Sequence, residues 1–319
     1  MPVSLREAIA HEIHGLSGRE LGASSRQLSR HYRGGGTSHL VVGSAYLTGR
    51  LPGTYAATSD ALAEAWARCA GPSPDSLLDV GCGPGTAAWA ALGLFPTLVS
   101  VTLLDASPAM LDLARRLAVR SPWGVLRNAA FDLQDLRTSG DLPKADLVVA
   151  AFAVGELEGP HLPDAADRLI GAARLLLVVI EPGTPAGFRR ILSIRGRALA
   201  RGWHVVAPCP HEGVCPLADD DWCHFPARYQ RTAGERRARG GTRPFADEKY
   251  SYVALAPQGI ASGGERVIGR PRRQKGHLEL RLCTLGGLRE AGASRRDGEI
   301  YRRLREARWG SWLPPFPPT

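Results

Sequence analysis

The sequence has little of what defines several large classes of protein. Six cysteines in 319 residues are too few for a disulfide scaffold. No apolar run approaches the roughly 20 residues that a membrane-spanning helix requires. The first residues contain Glu7 and Glu12 but no apolar stretch, so they predict an amphipathic helix rather than a secretory signal or a transit peptide. We therefore expect a cytoplasmic protein with no membrane partner, whose thiols lie in a reducing compartment.

Lysine is also scarce, and nearly all of the positive charge comes from arginine. Lysine occurs only at positions 144, 249 and 275, while the net charge is +9 and the isoelectric point is near 9.6. A basic balance favours polyanionic partners, and arginine matches phosphate oxygens well. A GC-rich genome produces the same excess of arginine, alanine, glycine and proline. The total charge is therefore a weak indication until its distribution along the chain is considered.

The pattern of apolar residues divides the chain into two parts. Helical periodicity over residues 1–71 predicts a helical N-terminal extension. Short apolar runs that alternate with helix-like segments then predict an α/β domain over 72–319, with a parallel sheet and crossover helices. A segment rich in Pro, Gly, Cys and Arg interrupts this pattern at about 207–245. We expect it to be an insertion that precedes the last two strands, "KYSYVALA" and "HLELRLCT".

A glycine-rich turn follows the first of these apolar runs, in "LLDVGCGPGTAAWAAL". Glycine is needed where a chain turns sharply against a ligand, and the amides at the following helix start favour negative groups. An acidic residue about twenty positions later can accept both hydroxyls of a ribose. Dinucleotide enzymes and methyltransferases both use this layout, but the acid before the turn makes it resemble the first motif of class I S-adenosylmethionine-dependent methyltransferases. The predicted cofactor residues are Asp79, Gly81, Gly83, Gly85, Asp105 in the ribose position and Asp132 at the adenine edge.

No catalytic motif follows the predicted fourth strand. Methyltransferases that modify base amino groups often have an Asn/Asp-Pro-Pro-aromatic stretch there, whereas this chain has "AAFAVGELE". Neither Cys69 nor Cys82 lies where a cytosine-C5 nucleophile is expected. The sequence thus indicates cofactor binding more strongly than methyl transfer, and no catalytic residue is assigned.

Three cysteines lie close together in "CPHEGVCPLADDDWCHF", which begins at Cys209. Their spacing lacks the paired C-x-x-C knuckles of a zinc ribbon, and three thiolates suit either zinc or an iron–sulfur cluster. The fourth ligand is one of His211, His224 or a distant cysteine, and Cys283 at the end of a predicted strand is well placed. Free buried thiols are the alternative. The segment has few apolar residues of its own, which favours metal binding.

Several motifs together resemble one family. "AYLTGRLPGTYAATSDAL", "LLDVGCGPGTAAWAA", "PCPHEGVCPL", "DWCHF", "DEKYSYVAL" and "LRLCTLGG" are similar to the methyltransferase-like family that includes the mitochondrial small-ribosomal-subunit assembly factor and bacterial relatives. The resemblance covers about residues 40 to 290, and the cysteine segment is its most specific part. It implies a class I methyltransferase (Rossmann-like) fold with a mostly parallel sheet of seven strands, and a role on small-subunit ribosomal RNA. It also implies a four-iron four-sulfur cluster on four ligands, namely Cys209, Cys215, Cys223 and Cys283.

The positive charge is concentrated after the cysteine segment. Residues 226–275 hold twelve Arg or Lys and only four Asp or Glu. Clustered cations gain binding free energy when they neutralise phosphates. A solvated charged loop is the alternative. We predict contacts with RNA from Arg228, Arg231, Arg270, Arg272, Arg273 and Lys275.

These expectations combine into one function with two alternatives. The first is an S-adenosylmethionine-binding, iron–sulfur protein that acts on small-subunit ribosomal RNA, as a methyltransferase or in subunit assembly. The second is a non-catalytic assembly or RNA-binding factor that keeps the methyltransferase fold. The third is a zinc-stabilised methyltransferase with another substrate, which leaves the basic segment unexplained.

Overall fold

The centre of the main sheet consists of parallel strands that are buried on both faces. β1 (Ser76–Val80) is buried along its whole length, and β4 (Ala145–Ala151) and β5 (Ala173–Pro182) are buried nearly throughout. Continuous apolar strands of this kind form the interior of sheets that helices cover on both sides. The computed structural model describes residues 1–15, 43–69, 71–138, 140–157, 159–232, 235–236, 243–259 and 263–315.

The strand order is that of class I methyltransferases. The strands follow the order β3-β2-β1-β4-β5-β8-β6, with β1 to β5 parallel and β8 antiparallel to β5. The predicted fold class is confirmed. The sheet has eight strands rather than seven because β7 also pairs with β8. The remaining strands are β2 (Ser100–Asp105), β3 (Ala130–Leu133), β6 (His204–Ala207), β7 (Phe225–Gln230) and β8 (Phe245–Ala256).

Helices cover both faces of this sheet. One face packs against the N-terminal helices and α4, and the other packs against α7 and α8. The predicted N-terminal helices are present, although residues 16–42 of the extension lie outside the described residues. The described helices are α1 (Val3–Glu12), α2 (Gly43–Gly49), α3 (Leu51–Trp66), α4 (Thr86–Leu94), α5 (Pro108–Val119), α6 (Gly124–Arg127), α7 (His161–Ala172), α8 (Pro185–Leu199) and α9 (Gly298–Leu304).

A second, antiparallel sheet follows the main one and was not expected from the sequence. "HLELRLCT", which we expected to be the last strand of the main sheet, is instead β11 (His277–Thr284) of this second sheet. That expectation was wrong because alternation shows that a segment is a strand but does not show which strand it pairs with. The other members are β9 (Glu265–Val267), β10 (Arg272–Gln274), β12 (Gly287–Ser294) and β13 (Trp312–Leu313).

The second sheet has a small core of its own, in which Val267, Leu278, Leu280 and Leu282 are almost completely buried. It is joined to the N-terminal helices through α3. The Arg266 guanidinium donates to Glu64 on α3, and Arg68 of the same chain segment lies 4.5 Å over the Trp312 ring. Among the described residues, no helix has the length and apolar character needed to cross a bilayer.

Candidate functional site

The glycine turn after β1 adopts the conformation that its sequence requires. Gly81, Gly83 and Gly85 all have positive φ values, of 63°, 52° and 81°. A Cβ on Gly81 would lie 2.4 Å from the Ala153 Cβ, and one on Gly85 would lie 2.8 Å from Leu103 Cδ2. Side chains at these two positions are therefore excluded by both the backbone conformation and the close packing. A Cβ on Gly83 would lie 3.7 Å from the Tyr46 hydroxyl oxygen, which is an ordinary contact, so only the backbone conformation favours glycine at that position.

The two acidic residues of the motif play different structural roles. The Asp105 carboxylate, at the end of β2, accepts hydrogen bonds from the amides of Gly83 and Ser107, both at 2.8 Å. Asp79 is buried behind the turn, where its carboxylate accepts from the Ala88 amide at 3.0 Å. Burial raises the pKa of Asp79 to about 7. Asp105 thus faces the turn from the open side, while Asp79 supports the first turn of α4 from below.

A cavity of about 310 Å³ opens where the chain leaves the parallel strands. Gly81, Gly83 and Asp105 line it, whereas Asp79 and Gly85 lie behind its wall. Asp132 is not among the lining residues either. It lies within β3 opposite Leu104, and Gln134 and Asp135 line the cavity just beyond that strand. The structure therefore brings together three of the six predicted cofactor residues in the lining of this cavity, which also includes Asp135. The role of Asp132 at the adenine edge stays a prediction.

The cavity wall beyond β4 contains a residue that the sequence analysis did not single out. Phe152 has a φ of 58°, which is rare for a non-glycine residue, and its amide donates to the Ile180 carbonyl at 2.7 Å. Such backbone strain concentrates at functional sites. The residues after Phe152 are attached to β5. Buried Glu181 accepts a hydrogen bond from the Gly155 amide at 3.1 Å and forms an ion pair with Arg190 at 3.0 Å. Burial raises the pKa of Glu181 to about 7.

All four cysteines predicted as ligands line a second, smaller cavity. Cys209 follows β6, Cys215 and Cys223 lie in the connection to β7, and Cys283 is near the end of β11. The Cys283 Sγ lies 3.5 Å from His211 Nε2, and His211 lines the same cavity. Because Cys283 is distant from the other three cysteines along the chain, the sequence did not show whether it lies near them. In the structure, the second sheet places Cys283 beside the same cavity. Cys69 and Cys82 do not line this cavity.

The segment between β6 and β7 is held by hydrogen bonds as well as by its thiols. Arg195 on α8 donates to the carbonyls of His211 and Gly213, both at 2.9 Å. The Ser251 hydroxyl donates to the Cys223 carbonyl at 2.7 Å, and the Trp222 indole donates to the Gly183 carbonyl at 2.9 Å. The segment therefore has attachments to both α8 and the main sheet that its composition did not reveal.

The donors in this cavity fit a metal group bound by thiolates. Burial raises the pKa of Cys209 and Cys223, and it raises the pKa of Cys283 to about 12. Bound metal supplies the positive charge that would stabilise these thiolates. In the part of the chain that the structure describes, no three Cys, His, Asp or Glu side chains form a group that could hold a metal ion. The four thiols thus share one cavity without forming a compact ligand set, and their role as ligands stays a prediction.

Two of the predicted RNA-binding residues belong to β7 and the turn after it. The Arg228 side chain is 68% exposed, lies over the Phe245 ring at 5.2 Å and is 3.7 Å from Asp247. Arg231 is mostly buried and pairs at 3.5 Å with Glu235, whose side chain is almost completely buried. Arg228 is therefore accessible to a ligand, whereas Arg231 serves mainly to compensate a buried carboxylate. Both residues line a groove of about 600 Å³ between α1, α3 and β7.

The other four predicted RNA-binding residues lie in or beside β10 of the second sheet. Arg270, Arg272 and Lys275 are exposed, and Arg272 has only a 3.8 Å contact with Glu279. Arg273 differs, because its guanidinium donates to the carbonyls of Arg305 and Ala307 after α9. Arg273 thus contributes to the stability of the second sheet. Binding to RNA is untested for all six residues and stays a prediction.

With this geometry in place, comparison with known families has a clear result. A family model described as "Mitochondrial small ribosomal subunit Rsm22" matches residues 41–314. The chain belongs to the Rsm22 family. The family inferred from the motifs is thereby confirmed, and the match extends through the second sheet as well as the main one.

The curated relatives of this Rsm22-family chain are longer proteins. It is 32% identical over 309 residues to the human "Ribosome assembly protein METTL17, mitochondrial", with 86% of this chain and 63% of that protein covered. It is 25% identical over 294 residues to "Rsm22-cox11 tandem protein 2, mitochondrial" of Schizosaccharomyces pombe, with 75% and 38% covered. The chain thus spans less than two thirds of either relative. Both names place those proteins in mitochondria, and the cytoplasmic location that we expected for this chain stays a prediction.

Solved structures of methyltransferases are similar to this chain at low sequence identity. The N-methyltransferase NodS of Bradyrhizobium japonicum, in complex with S-adenosyl-L-homocysteine, is 14% identical with a TM-score of 0.44, covering 74% of this chain and 99% of that one. The magnesium protoporphyrin IX methyltransferase of Synechocystis, with bound S-adenosyl-L-homocysteine, is 15% identical with a TM-score of 0.42, covering 74% and 95%.

Proposed function

We propose that this chain acts in assembly of the small ribosomal subunit by contacting its RNA, binds S-adenosylmethionine beside the glycine turn, and carries a four-iron four-sulfur cluster on Cys209, Cys215, Cys223 and Cys283. Membership of the Rsm22 family is the observation that carries the proposal. The name of the human relative supports the role in assembly, since it describes a ribosome assembly protein.

The four thiols suit either the cluster or a single zinc ion. Tetrahedral zinc with Zn–S bonds of about 2.3 Å holds its sulfur atoms about 3.8 Å apart. A four-iron cluster binds each thiolate to a different iron, so its sulfur atoms lie further apart. The four cysteines line one cavity, which is the shared requirement of both groups. The resemblance of the cysteine motifs favours the cluster, and metal analysis decides between the two.

Anaerobic purification followed by iron, sulfide and zinc analysis tests the cluster. We expect about four irons and four sulfides per chain, in proportion to the cluster type. Cys209→Ser or Cys283→Ser should remove the brown absorbance and should make the 205–245 region more sensitive to protease. Cys69→Ser and Cys82→Ser are the matched controls and should keep the absorbance. Stoichiometric zinc without iron would establish the zinc alternative, and a metal-free protein would exclude both.

Calorimetry with S-adenosylmethionine and its demethylated product tests the cofactor cavity. Asp105→Asn keeps an acceptor oxygen for the turn but loses the negative charge that would receive two ribose hydroxyls. We expect it to weaken binding by about 1–3 kcal/mol, the range for leaving polar groups without their partner. Asp132→Asn is the informative comparison, because Asp132 lies outside the cavity and should bind as the wild type does. Equal binding by the Asp105 variant would remove that residue from the ribose position.

A specific observation favours assembly without methyl transfer. Ala151, Phe152 and Ala153 form the cavity wall at the end of β4, where none of these side chains can exchange a proton, and the nearest group on this wall that can do so is Glu156. A methyltransferase still needs to align the acceptor with the sulfonium methyl group. The second candidate is therefore a non-catalytic factor. In such a factor the bound cofactor stabilises the fold or makes the protein sensitive to the concentration of S-adenosylmethionine.

A single-turnover reaction distinguishes the two candidates. Labelled S-adenosylmethionine is bound to the protein and mixed with small-subunit RNA or with immature small subunits. Transfer of label to RNA at a rate above that of Asp105→Asn would establish the enzyme. Retention of all label as S-adenosylmethionine, with the RNA still bound, would establish the non-catalytic factor.

The salt dependence of RNA affinity tests the basic surface. Neutralising phosphates releases counterions, so affinity should fall steeply as salt rises. Replacing Arg270, Arg272 and Lys275 with Gln should flatten this dependence, and Arg273 is left intact because its carbonyl contacts stabilise the second sheet. The control is Arg120→Gln, which removes an exposed charge at the end of α5. If the triple variant keeps the wild-type slope, the RNA contacts lie elsewhere.

A further inference from the structure

Two buried arginines line the cysteine cavity. Arg195 on α8 is 6% exposed, and Arg266 on β9 is 1% exposed. A buried charge is costly unless an opposite charge or a full set of hydrogen bonds compensates it. The cavity that both guanidinium groups face contains four thiols. The hydrogen-bond partners of each arginine therefore indicate the charge and chemistry of the group that the cavity binds.

Two of the three guanidinium nitrogens of Arg266 donate hydrogen bonds to described residues, and the third does not. Its Nε donates to the Pro208 carbonyl at 3.1 Å, immediately before Cys209. Its Nη1 donates to Glu64 at 2.7 Å and to the Gly310 carbonyl at 2.5 Å. The guanidinium lies 5.0 Å from the Trp312 ring centre. These contacts fix its position, yet Nη2 is buried with no hydrogen-bond partner in the part of the chain that the structure describes.

In the described part of the chain, Arg195 on α8 likewise has both occupied and unoccupied guanidinium nitrogens. Its Nη2 donates to the His211 and Gly213 carbonyls, which lie between Cys209 and Cys215, while its Nε is buried without a partner among the described residues. Each arginine thus orients a stretch of chain next to a cysteine and retains a buried nitrogen that donates to none of the described residues. Buried donors without partners are rare in native proteins, and a bound acceptor in the cavity that they line is one explanation.

A metal group bound by four thiolates is negatively charged overall and presents sulfur atoms as hydrogen-bond acceptors. We propose that Arg195 and Arg266 are positioning residues for this group: their unpartnered donors bind its sulfur atoms, and their charges compensate its negative charge. The inference rests on the proposed function, because it requires that the four cysteines bind a metal group. Glu64 opposes Arg266 by offsetting part of its charge, and it links the metal site to α3.

The reduction potential of the cluster tests the proposal by its sign. Positive charge and hydrogen bonds to sulfur stabilise the reduced, more negative cluster. Arg195→Met and Arg266→Met should therefore shift the potential to more negative values, and the corresponding Lys variants should recover part of the shift. Glu64→Gln removes the opposing charge and should shift the potential in the positive direction. A purely structural role would not produce shifts of opposite sign.

Arg189→Met is the matched control, because it removes a charge from an exposed position on the same helix as Arg195. It should leave the potential unchanged. If Arg266→Met does not fold, as judged by circular dichroism, Arg195→Met and Glu64→Gln carry the test together. Iron-replete variants that all have the wild-type potential would overturn the inference and leave the cluster assignment standing.

The metal content of the wild-type protein separates failure of this inference from failure of the proposed function. A wild-type protein without iron or zinc would overturn both. If it holds zinc, release to a chelator replaces the potential as the readout. The Arg195→Met and Arg266→Met proteins should then release zinc several-fold faster than wild type and Arg189→Met. Equal release rates would overturn the inference.

Discussion

Adding a single methyl group at Gly81 should destabilise the protein more than the same change at another glycine of similar conformation. Gly81 and Gly202 have φ values of 63° and 74°, so alanine pays a comparable conformational cost of about 1–2 kcal/mol at either position. At Gly202 the new Cβ meets nothing within 4 Å, whereas at Gly81 it lies 2.4 Å from the Ala153 Cβ. Forcing a methyl group into packed space adds about 1–3 kcal/mol.

We therefore expect Gly81→Ala to lower the free energy of unfolding by about 2–5 kcal/mol and Gly202→Ala by about 1–2 kcal/mol. Urea unfolding monitored by tryptophan fluorescence measures both. The double variant Gly81→Ala/Ala153→Gly should recover much of the steric part, because it removes the atom that the new Cβ would contact. Equal losses at Gly81 and Gly202, or no recovery in the double variant, would show that the loop after β4 does not constrain the glycine turn.

Two further predictions concern residues behind the cofactor cavity. The folded-state pKa of Asp79 is raised from 3.8 to about 7, so its contribution to stability is full below about pH 4 and is lost as pH rises through 7. Asp79→Asn should reduce the fall in unfolding free energy between about pH 4 and pH 7, and the control Asp141→Asn, at an exposed position, should not. Identical slopes for the wild type and both variants would contradict the raised pKa of Asp79. Arg168 donates to the Leu136 and Thr138 carbonyls in the loop after β3. Arg168→Met should weaken S-adenosylmethionine binding by about 1 kcal/mol in calorimetry, and unchanged affinity would show that this loop needs no such support.

The sequence was sufficient for the parallel part of the fold. The apolar runs that form β1, β4 and β5 are buried on both faces, whereas β3 at the sheet edge is mostly exposed. A continuous apolar run of this kind is recognisable as a buried strand from its own residues, whichever strand it pairs with. The positive φ values at Gly81, Gly83 and Gly85 also follow from residue type, because only glycine adopts them without strain. Local chemistry therefore determined both the turn and its place between a strand and a helix.

Only the tertiary structure showed which strands pair with each other and which acidic residue reaches the cofactor cavity. β11 has the alternation of any half-buried strand, and nothing in its residues shows that it pairs with β9, β10 and β12 rather than with β8. Asp132 and Asp135 are three residues apart in one acidic stretch, and the end of β3 decides which of them reaches the cavity. Local sequence sets the conformation of a segment, whereas these choices depend on packing between segments distant along the chain.

The cysteine site shows both kinds of information in one place. The clustering of Cys209, Cys215 and Cys223 is visible in the sequence, and the family motifs indicated Cys283 as the fourth member. Arg195 and Arg266 had no distinguishing motif among the many arginines of this chain. They are distinguished by burial and by their place in the lining of the cysteine cavity, which are properties of the folded chain. A residue type sets which bonds a side chain can make, but only the folded chain decides which of those bonds remain to be made.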